Sequence, residues 1–204
     1  TNNGDGTYDI DDLLRGRRGT NTQADLHQMN DLFVVLDENS TARLVNATAD
    51  IGNTVYYKVV PDGQPIGNYS PRAWVVGSNP LYPYSPIGVT GTDVGGAGTT
   101  LQIDWERRTR KGGFYGGTNG LTDNVGGTLS EDSEEYDLDI YDSADLATVV
   151  RAVTGLTSAT YDYTSAQWTA DGFVSTDTIV VRIYQISATV DRGYQSDDET
   201  LTIP

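Results

Sequence analysis

The sequence contains no cysteine and one histidine, His27. Without cysteine, disulfides, cysteine-based metal sites and thiol catalysis are excluded. A Ser-His-Asp triad, or a metal site with several histidines, would have to be built on His27 alone. Since no other catalytic motif stands out in the sequence, we predict that the chain is not an enzyme and that it binds no cofactor and no metal.

Basic side chains are also scarce. The 13 Lys and Arg stand against 29 Asp and Glu, which gives a formal net charge of −16. This charge argues against nucleic acid or anionic lipid as a partner, because phosphate binding needs clustered Lys and Arg. No apolar run reaches the length of a membrane span, and no signal-peptide pattern is found. Since the chain begins with Thr1 and not Met, we expect an excised domain or a processed product.

Short runs of alternating apolar and polar residues are the main positive signal. The run 101–110 places Leu101, Ile103 and Trp105 on one side, as in a half-buried strand. The run 134–142 alternates in the same way, and the run 179–187 is more apolar, which suits the centre of a sheet. We predict that these strands pack around Trp105 as a β-sandwich.

Further strands are predicted on both sides of a proline-rich segment, 79–86. Prolines cannot donate to a sheet ladder, so this segment indicates an extended linker. The predicted fold class is all-β, with two β-sandwich-like domains: a β-rich module at 1–82, a linker at 83–86 and a second sandwich at 87–204. The other predicted strands are 7–14, 32–36, 42–45, 54–60, 72–76, 89–94, 148–153, 160–163 and 199–203.

Charged residues cluster next to two of the predicted strands. Glu135, Asp137 and Asp139 share one strand face, which favours solvated carboxylates over catalytic ones. The arginines that follow Trp105 repel each other unless carboxylates compensate them. We expect them to pair internally with the acidic run 131–142; these arginines are Arg107, Arg108 and Arg110.

The first twelve residues imitate the spacing of a calcium loop, with oxygen-bearing side chains at alternate positions and Gly6 at the sixth. Thr1 stands where such loops carry Asp, and Asp12 where they carry Glu. The pattern therefore favours a glycine-rich hairpin turn, and we predict that calcium does little for folding.

Two segments are candidates for partner contact. Arg17 and Arg18 lie in the sequence LLRGRRGT, where they form either an ordinary surface turn or an interface clamp. The glycine-rich stretch 111–129 carries Phe114 and Tyr115, which either fold back on the sandwich or serve as binding anchors. We take these four residues as candidate partner contacts.

Several stretches together resemble the C-terminal region of phage tail-tip or baseplate-hub proteins, of the siphophage and gene-transfer-agent kind. They are LLRGRRGT, FVVLD, IDWERRTRKGG, EEYDLDIYD and VVRIYQISATVDRG. In that family, a β-rich module with an LLRGRRGT-like turn precedes a fibronectin type III domain, and the resemblance covers nearly the whole chain. The resemblance implies a structural protein of the virion that binds other tail proteins, forms homo-oligomers in the tail and contacts a host receptor or glycan.

Two other functions fit parts of the sequence. A carbohydrate-binding or accessory module of a secreted glycan-active protein would explain the fibronectin-like strands, the calcium-like loop and the many Tyr and Trp residues. A hydrolase with paired carboxylates is the third hypothesis, and it is the weakest because the carboxylates lie on strand faces and turns.

Overall fold

The computed structural model describes residues 3–9, 26, 28–32, 44–96, 98–110 and 129–204. The chain divides into two compact units, Thr1–Pro80 and Leu81–Pro204. All the sheets among these residues are antiparallel, so the predicted all-β class is confirmed. No helix within the described ranges is long and apolar enough to cross a membrane.

The described part of the first unit contains a two-stranded ribbon, β1 (Thr54–Tyr57) and β2 (Arg72–Val75). The register places Val55 opposite Trp74 and Tyr57 opposite Arg72. Both strands lie inside the predicted runs 54–60 and 72–76, whereas most residues of the predicted strands 7–14, 32–36 and 42–45 lie outside the described residues. Short 3-10 turns occupy Thr48–Asp50, Ile66–Asn68 and Asn79–Leu81.

The described part of the second unit contains eight strands and one short helix. Its elements in chain order are β3 (Ile87–Val94), β4 (Thr100–Glu106), β5 (Tyr136–Asp142), β6 (Asp145–Leu156), β7 (Thr160–Thr164), α1 (Ser165–Ala170), β8 (Thr178–Ser187), β9 (Asp191–Gln195) and β10 (Glu199–Thr202).

These strands form two sheets. One has the order β3-β4-β7, and the other has the order β10-β8-β5-β6 with β9 also paired to β8. The chain passes from one sheet to the other after β4, β6 and β7, so sequential strands are not always neighbours. This is the arrangement of a fibronectin type III-like sandwich, which confirms the fold predicted for the second unit.

The core lies between the inward faces of the two sheets. Trp105 is 4% exposed, and its ring meets the Tyr136 ring edge-on at a centroid distance of 5.3 Å. The prediction that Trp105 anchors the core is therefore confirmed. The other fully enclosed apolar side chains include Ile103, Leu138, Ile140, Tyr163, Ile179, Val181, Ile183 and Ile203.

Two elements were not predicted from alternation. They are β9, which lies between two of the predicted strands, and α1, which follows β7 directly. The helix does have a sequence signal, because Thr164 and Gln167 form a capping box in which the Gln167 Oε1 accepts a hydrogen bond from the Thr164 N–H at 2.8 Å.

The edge of β9 is covered by the chain that leads into β3. The Tyr194 N–H donates to the Pro83 carbonyl at 3.1 Å, and the Tyr82 and Tyr194 rings lie 5.6 Å apart. A Cβ on Gly193 would come within 2.7 Å of the Pro83 oxygen, so this close approach requires glycine. Pro83 thus packs within the second unit, while the predicted division into 1–82, 83–86 and 87–204 stays a prediction.

The edge of β6 is protected in another way. The pairing of β5 with β6 shifts register at three places, which twists the edge. Arg151 sits at this edge opposite the core residue Ile140, so a charge points inward there. Both features hinder the addition of a further strand.

Candidate functional site

The four residues predicted as partner contacts, Arg17, Arg18, Phe114 and Tyr115, lie outside the described residues, as does His27. The assignment of these contacts therefore stays a prediction. The described residues instead show which charged side chains of the second unit are paired and which apolar side chains of the first unit are exposed.

Internal pairing of the arginines that follow Trp105 is confirmed for two of them. Arg110 donates to both oxygens of Glu131 at 2.6 and 3.1 Å, and only 3% of the Glu131 side chain is exposed. Arg107 lies 3.3 Å from Glu134. The hydroxyls of Thr109 and Ser130 also share a hydrogen bond. These contacts hold residues 109–110 against 130–131.

Arg108 contacts the segment that precedes β3. Its guanidinium lies 5.2 Å from the centroid of the Tyr84 ring, and its Nη1 donates to the Ser85 Oγ at 3.4 Å. Tyr84 is only 5% exposed. The guanidinium therefore helps to hold this segment on the sandwich.

The prediction that the carboxylates of β5 are solvated is wrong for Asp137 and Asp139, which are 9% and 4% exposed. Arg192 of β9 donates to Asp137 at 2.7 Å and to both oxygens of Asp139 at 2.6 and 3.0 Å. The guanidinium also lies 4.5 Å from the centroid of the Tyr184 ring. Covered by this guanidinium, the two carboxylates become buried on the outer face of the sheet.

A second arginine is held on the same face. Arg182 donates to both oxygens of Asp198 at 2.6 and 2.9 Å, and its guanidinium lies 4.4 Å from the centroid of the Tyr141 ring. These hydrogen bonds lower the pKa of the Asp198 carboxyl.

The third group joins β6 to the end of α1. Arg151 donates to both oxygens of Asp171 at 2.6 and 2.8 Å, and the Tyr163 hydroxyl donates to Asp171 at 2.6 Å. Burial raises the pKa of the Tyr163 hydroxyl, and its hydrogen bond to Asp171 raises this pKa further.

All six arginines of the second unit therefore contact a carboxylate or a tyrosine ring of that unit. Guanidinium groups held in this way stabilise the sandwich and are not free to bind phosphate. Across the described residues, no group of three or more His, Asp or Glu side chains could hold a metal ion.

A cleft of about 280 Å³ in the second unit is lined by Asp142, Asp171 and Asp177 among other residues. Asp142 accepts a hydrogen bond from the Ala144 N–H, and Asp177 accepts one from the Val174 N–H. With Asp171 bound to Arg151, each carboxylate of the cleft supports the local chain structure.

The calcium-like loop is described from Asn3 to Asp9. The Asp5 carboxylate accepts hydrogen bonds from the N–H and the hydroxyl of Thr7, which lower the pKa of Asp5. The Asn3 N–H donates to the Thr7 carbonyl at 3.1 Å. This part is a tight turn around Asp5, and Asp12 lies outside the described residues.

Exposed apolar side chains are concentrated in the first unit. Among the described residues, eleven of the fourteen large exposed apolar side chains belong to Thr1–Pro80, whereas seventeen of the eighteen buried ones belong to Leu81–Pro204. Exposed Trp74 and Tyr56 lie on the ribbon. The described part of the first unit therefore exposes more large apolar side chains than the second unit does.

One side of the ribbon combines an exposed indole with a cation. Trp74 is 63% exposed, while Trp105 and Trp168 are each 4% exposed. Arg72 lies two residues away on the same face, which Val55 and Tyr57 complete by their register. We call these four residues the Arg72–Trp74 face. Alternation predicts β2, but it does not show that the indole is exposed.

No protein-family model matches the chain, and no curated protein matches it. Solved structures similar to the chain include a myokine structure, with a TM-score of 0.38 and 12% identity over 60% of this chain and 98% of that one. They also include the FN5 domain of Drosophila Lar, with a TM-score of 0.35 and 10% identity over 60% of this chain and 97% of that one.

Proposed function

We infer that the chain is a structural component of a phage tail tip or baseplate, located in the virion. It assembles with other tail proteins, contacts the host surface and performs no chemistry of its own. The sequence resemblance carried by LLRGRRGT and IDWERRTRKGG supports this function. The contrast between the two units also supports it, because the first unit exposes apolar side chains and the second unit pairs its arginines internally.

The observation that carries the proposal is the exposure of the first unit. Its described residues contain one two-stranded sheet and one buried apolar side chain, Val76. A two-stranded ribbon is marginally stable alone in water, and large exposed apolar surfaces mark interaction sites. Association with a neighbouring protein would cover Tyr56, Trp74 and Val75.

The second unit supports the proposal as a rigid spacer. Its six arginines are held internally, and its β6 and β9 edges are protected, so these two edges resist strand addition. Thr109 contacts Ser130 and Arg110 contacts Glu131, so the described residues on either side of the stretch 111–128 are joined. Phe114 and Tyr115 in that stretch stay proposed contacts, as do Arg17 and Arg18.

Incorporation into tails tests this function. The variant with Arg17→Ala and Arg18→Ala should unfold at the wild-type urea concentration but enter tails less often, measured by antibody labelling of purified virions. Lys58→Ala removes an exposed cation from the same unit and is the matched control. Normal incorporation together with lost stability would make the two arginines structural. Saturable binding on a glycan array, with no labelling of virions, would instead favour the carbohydrate-binding module.

A further inference from the structure

We propose that the Arg72–Trp74 face is a docking surface for a second copy of this chain, and that it binds the outer face of the three-stranded sheet in that copy. The inference deepens the assembly function by naming one partner, and it rests on that function only for its biological setting. The two surfaces differ, so the contact is head-to-tail.

The Arg72–Trp74 face contains the residue types that are common at the centre of protein–protein interfaces. Trp and Arg are the residue types most enriched among side chains that dominate binding energy, and Tyr57 flanks them. Arg72 is exposed and has no ion pair among the described residues. A bidentate contact with a carboxylate is therefore available to it.

Charge identifies what can cover this face. From Thr54 to Val75 the sequence carries Lys58 and Arg72 against Asp62, a net charge of +1. From Leu81 to Pro204 it carries seven basic and nineteen acidic side chains, a net charge of −12. Since the arginines of the second unit are held internally, its remaining carboxylates attract a cationic face.

The outer face of β3, β4 and β7 presents such carboxylates. Asp104 and Glu106 alternate with the core residues of β4, and Asp162 of β7 lies opposite Gln102. No Lys or Arg occurs in these three strands. We call this surface the acidic face; its other side chains include Thr90, Thr92, Thr100, Thr160 and Thr164.

The two faces complement each other chemically. Carboxylates of the acidic face can accept hydrogen bonds from the Arg72 guanidinium and from the Trp74 indole N–H. Threonine methyl groups offer apolar contact to the flat side of the indole. A repeated head-to-tail contact gives a closed ring or a filament.

Sedimentation velocity of the purified full chain tests the proposal over a roughly hundredfold range of concentration. We expect self-association that weakens as NaCl rises from about 0.05 M to about 0.5 M, because salt screens the charged contact. Tryptophan fluorescence provides an independent readout, because Trp74 is the exposed one of the three tryptophans. Acrylamide quenching should fall as protein concentration rises, and this dependence should vanish in Trp74→Phe.

Charge reversals locate the contact. Arg72→Glu and Asp104→Arg should each raise the dissociation constant at least about tenfold, and the double variant should recover most of the loss. Trp74→Ala should weaken association similarly. Asp197→Arg and Val174→Ser, which are exposed sites off both faces, are the matched controls and should associate as the wild type does.

A chain that stays monomeric at all concentrations overturns the proposal and leaves assembly with other tail proteins in place. Shielding of Trp74 that does not depend on concentration means a contact within one chain, which also overturns it. Association that survives both Arg72→Glu and Trp74→Ala shows that another surface is used.

Discussion

Arg192 and Asp139 are joined by two hydrogen bonds of 2.6 and 3.0 Å across 53 residues of sequence. A third bond, 2.7 Å long, joins the same guanidinium to Asp137. The partly exposed guanidinium of Arg192 thus neutralises two nearly buried carboxylates. It also fixes β9 against the centre of the five-stranded sheet.

Arg192→Met should lower the free energy of unfolding of the second unit by about 3 kcal/mol, because it leaves two buried carboxylates without a counter-charge. This is the low end of the usual range, since 37% of the Arg192 side chain is exposed. Urea unfolding followed by tryptophan fluorescence measures the effect, because Trp105 and Trp168 are both buried in this unit.

Arg182→Met is the matched control. Its partner Asp198 has 38% of its side chain exposed, so the loss should be only about 0–1 kcal/mol. Equal small losses in both variants would show that solvent, and not Arg192, stabilises the charges of Asp137 and Asp139.

Gly193→Ala should lower the free energy of unfolding of the second unit by roughly 1–3 kcal/mol, the usual range for overpacking. The added Cβ would lie 2.7 Å from the Pro83 oxygen and 3.0 Å from the Gln185 oxygen, so the chain leading into β3 would have to leave β9. Gly67→Ala adds a Cβ with no heavy atom within 4 Å and is the control. If the two variants unfold at the same urea concentration, Pro83 does not pack on β9.

The strands of the sandwich could be predicted because their signal is local. In β4 the core residues Leu101, Ile103 and Trp105 alternate with polar ones, and this two-residue period reports which face is buried. The capping box at Thr164 and Gln167 is also a local pattern, so α1 was predictable in principle.

The ion pairs depend on register between distant strands, which no local pattern contains. Asp137 and Asp139 alternate as solvated residues would, and only the placement of Arg192 across β5 buries them. The exposure of Trp74 likewise depends on contacts between distant parts of the chain, which no local pattern contains. A tryptophan in an alternating strand is normally a core residue, and here no described residue covers it.

Trp105→Ala should destabilise the second unit by roughly 3–5 kcal/mol, the usual cost of truncating a large core aromatic. Its indole is 4% exposed and meets the Tyr136 ring edge-on. Trp74→Ala removes an exposed indole and should change unfolding at low protein concentration by less than about 0.5 kcal/mol. A wild-type melting temperature for Trp105→Ala would contradict the placement of this residue in the core.

Alkaline pH should destabilise the second unit through its buried tyrosines. Tyr136 and Tyr163 are fully buried, and burial raises the pKa of both hydroxyls. Hydrogen bonds to Glu134 and Asp171 raise these pKa values further, because a tyrosinate cannot donate to a carboxylate. In the unfolded chain, tyrosine titrates near pH 10.

The folded protein therefore keeps protons that the unfolded chain loses above about pH 10, so the free energy of unfolding falls as pH rises beyond that point. Below about pH 10 this contribution is fully present. Urea unfolding between about pH 9 and about pH 12 measures the slope, which should be shallower in Tyr163→Phe by up to about 1.4 kcal/mol per pH unit. Tyr56→Phe alters an exposed ring and should keep the wild-type slope. If Tyr163→Phe also keeps it, the Tyr163 hydroxyl ionises as readily in the folded protein as in the unfolded chain, and its bond to Asp171 does not hold the proton.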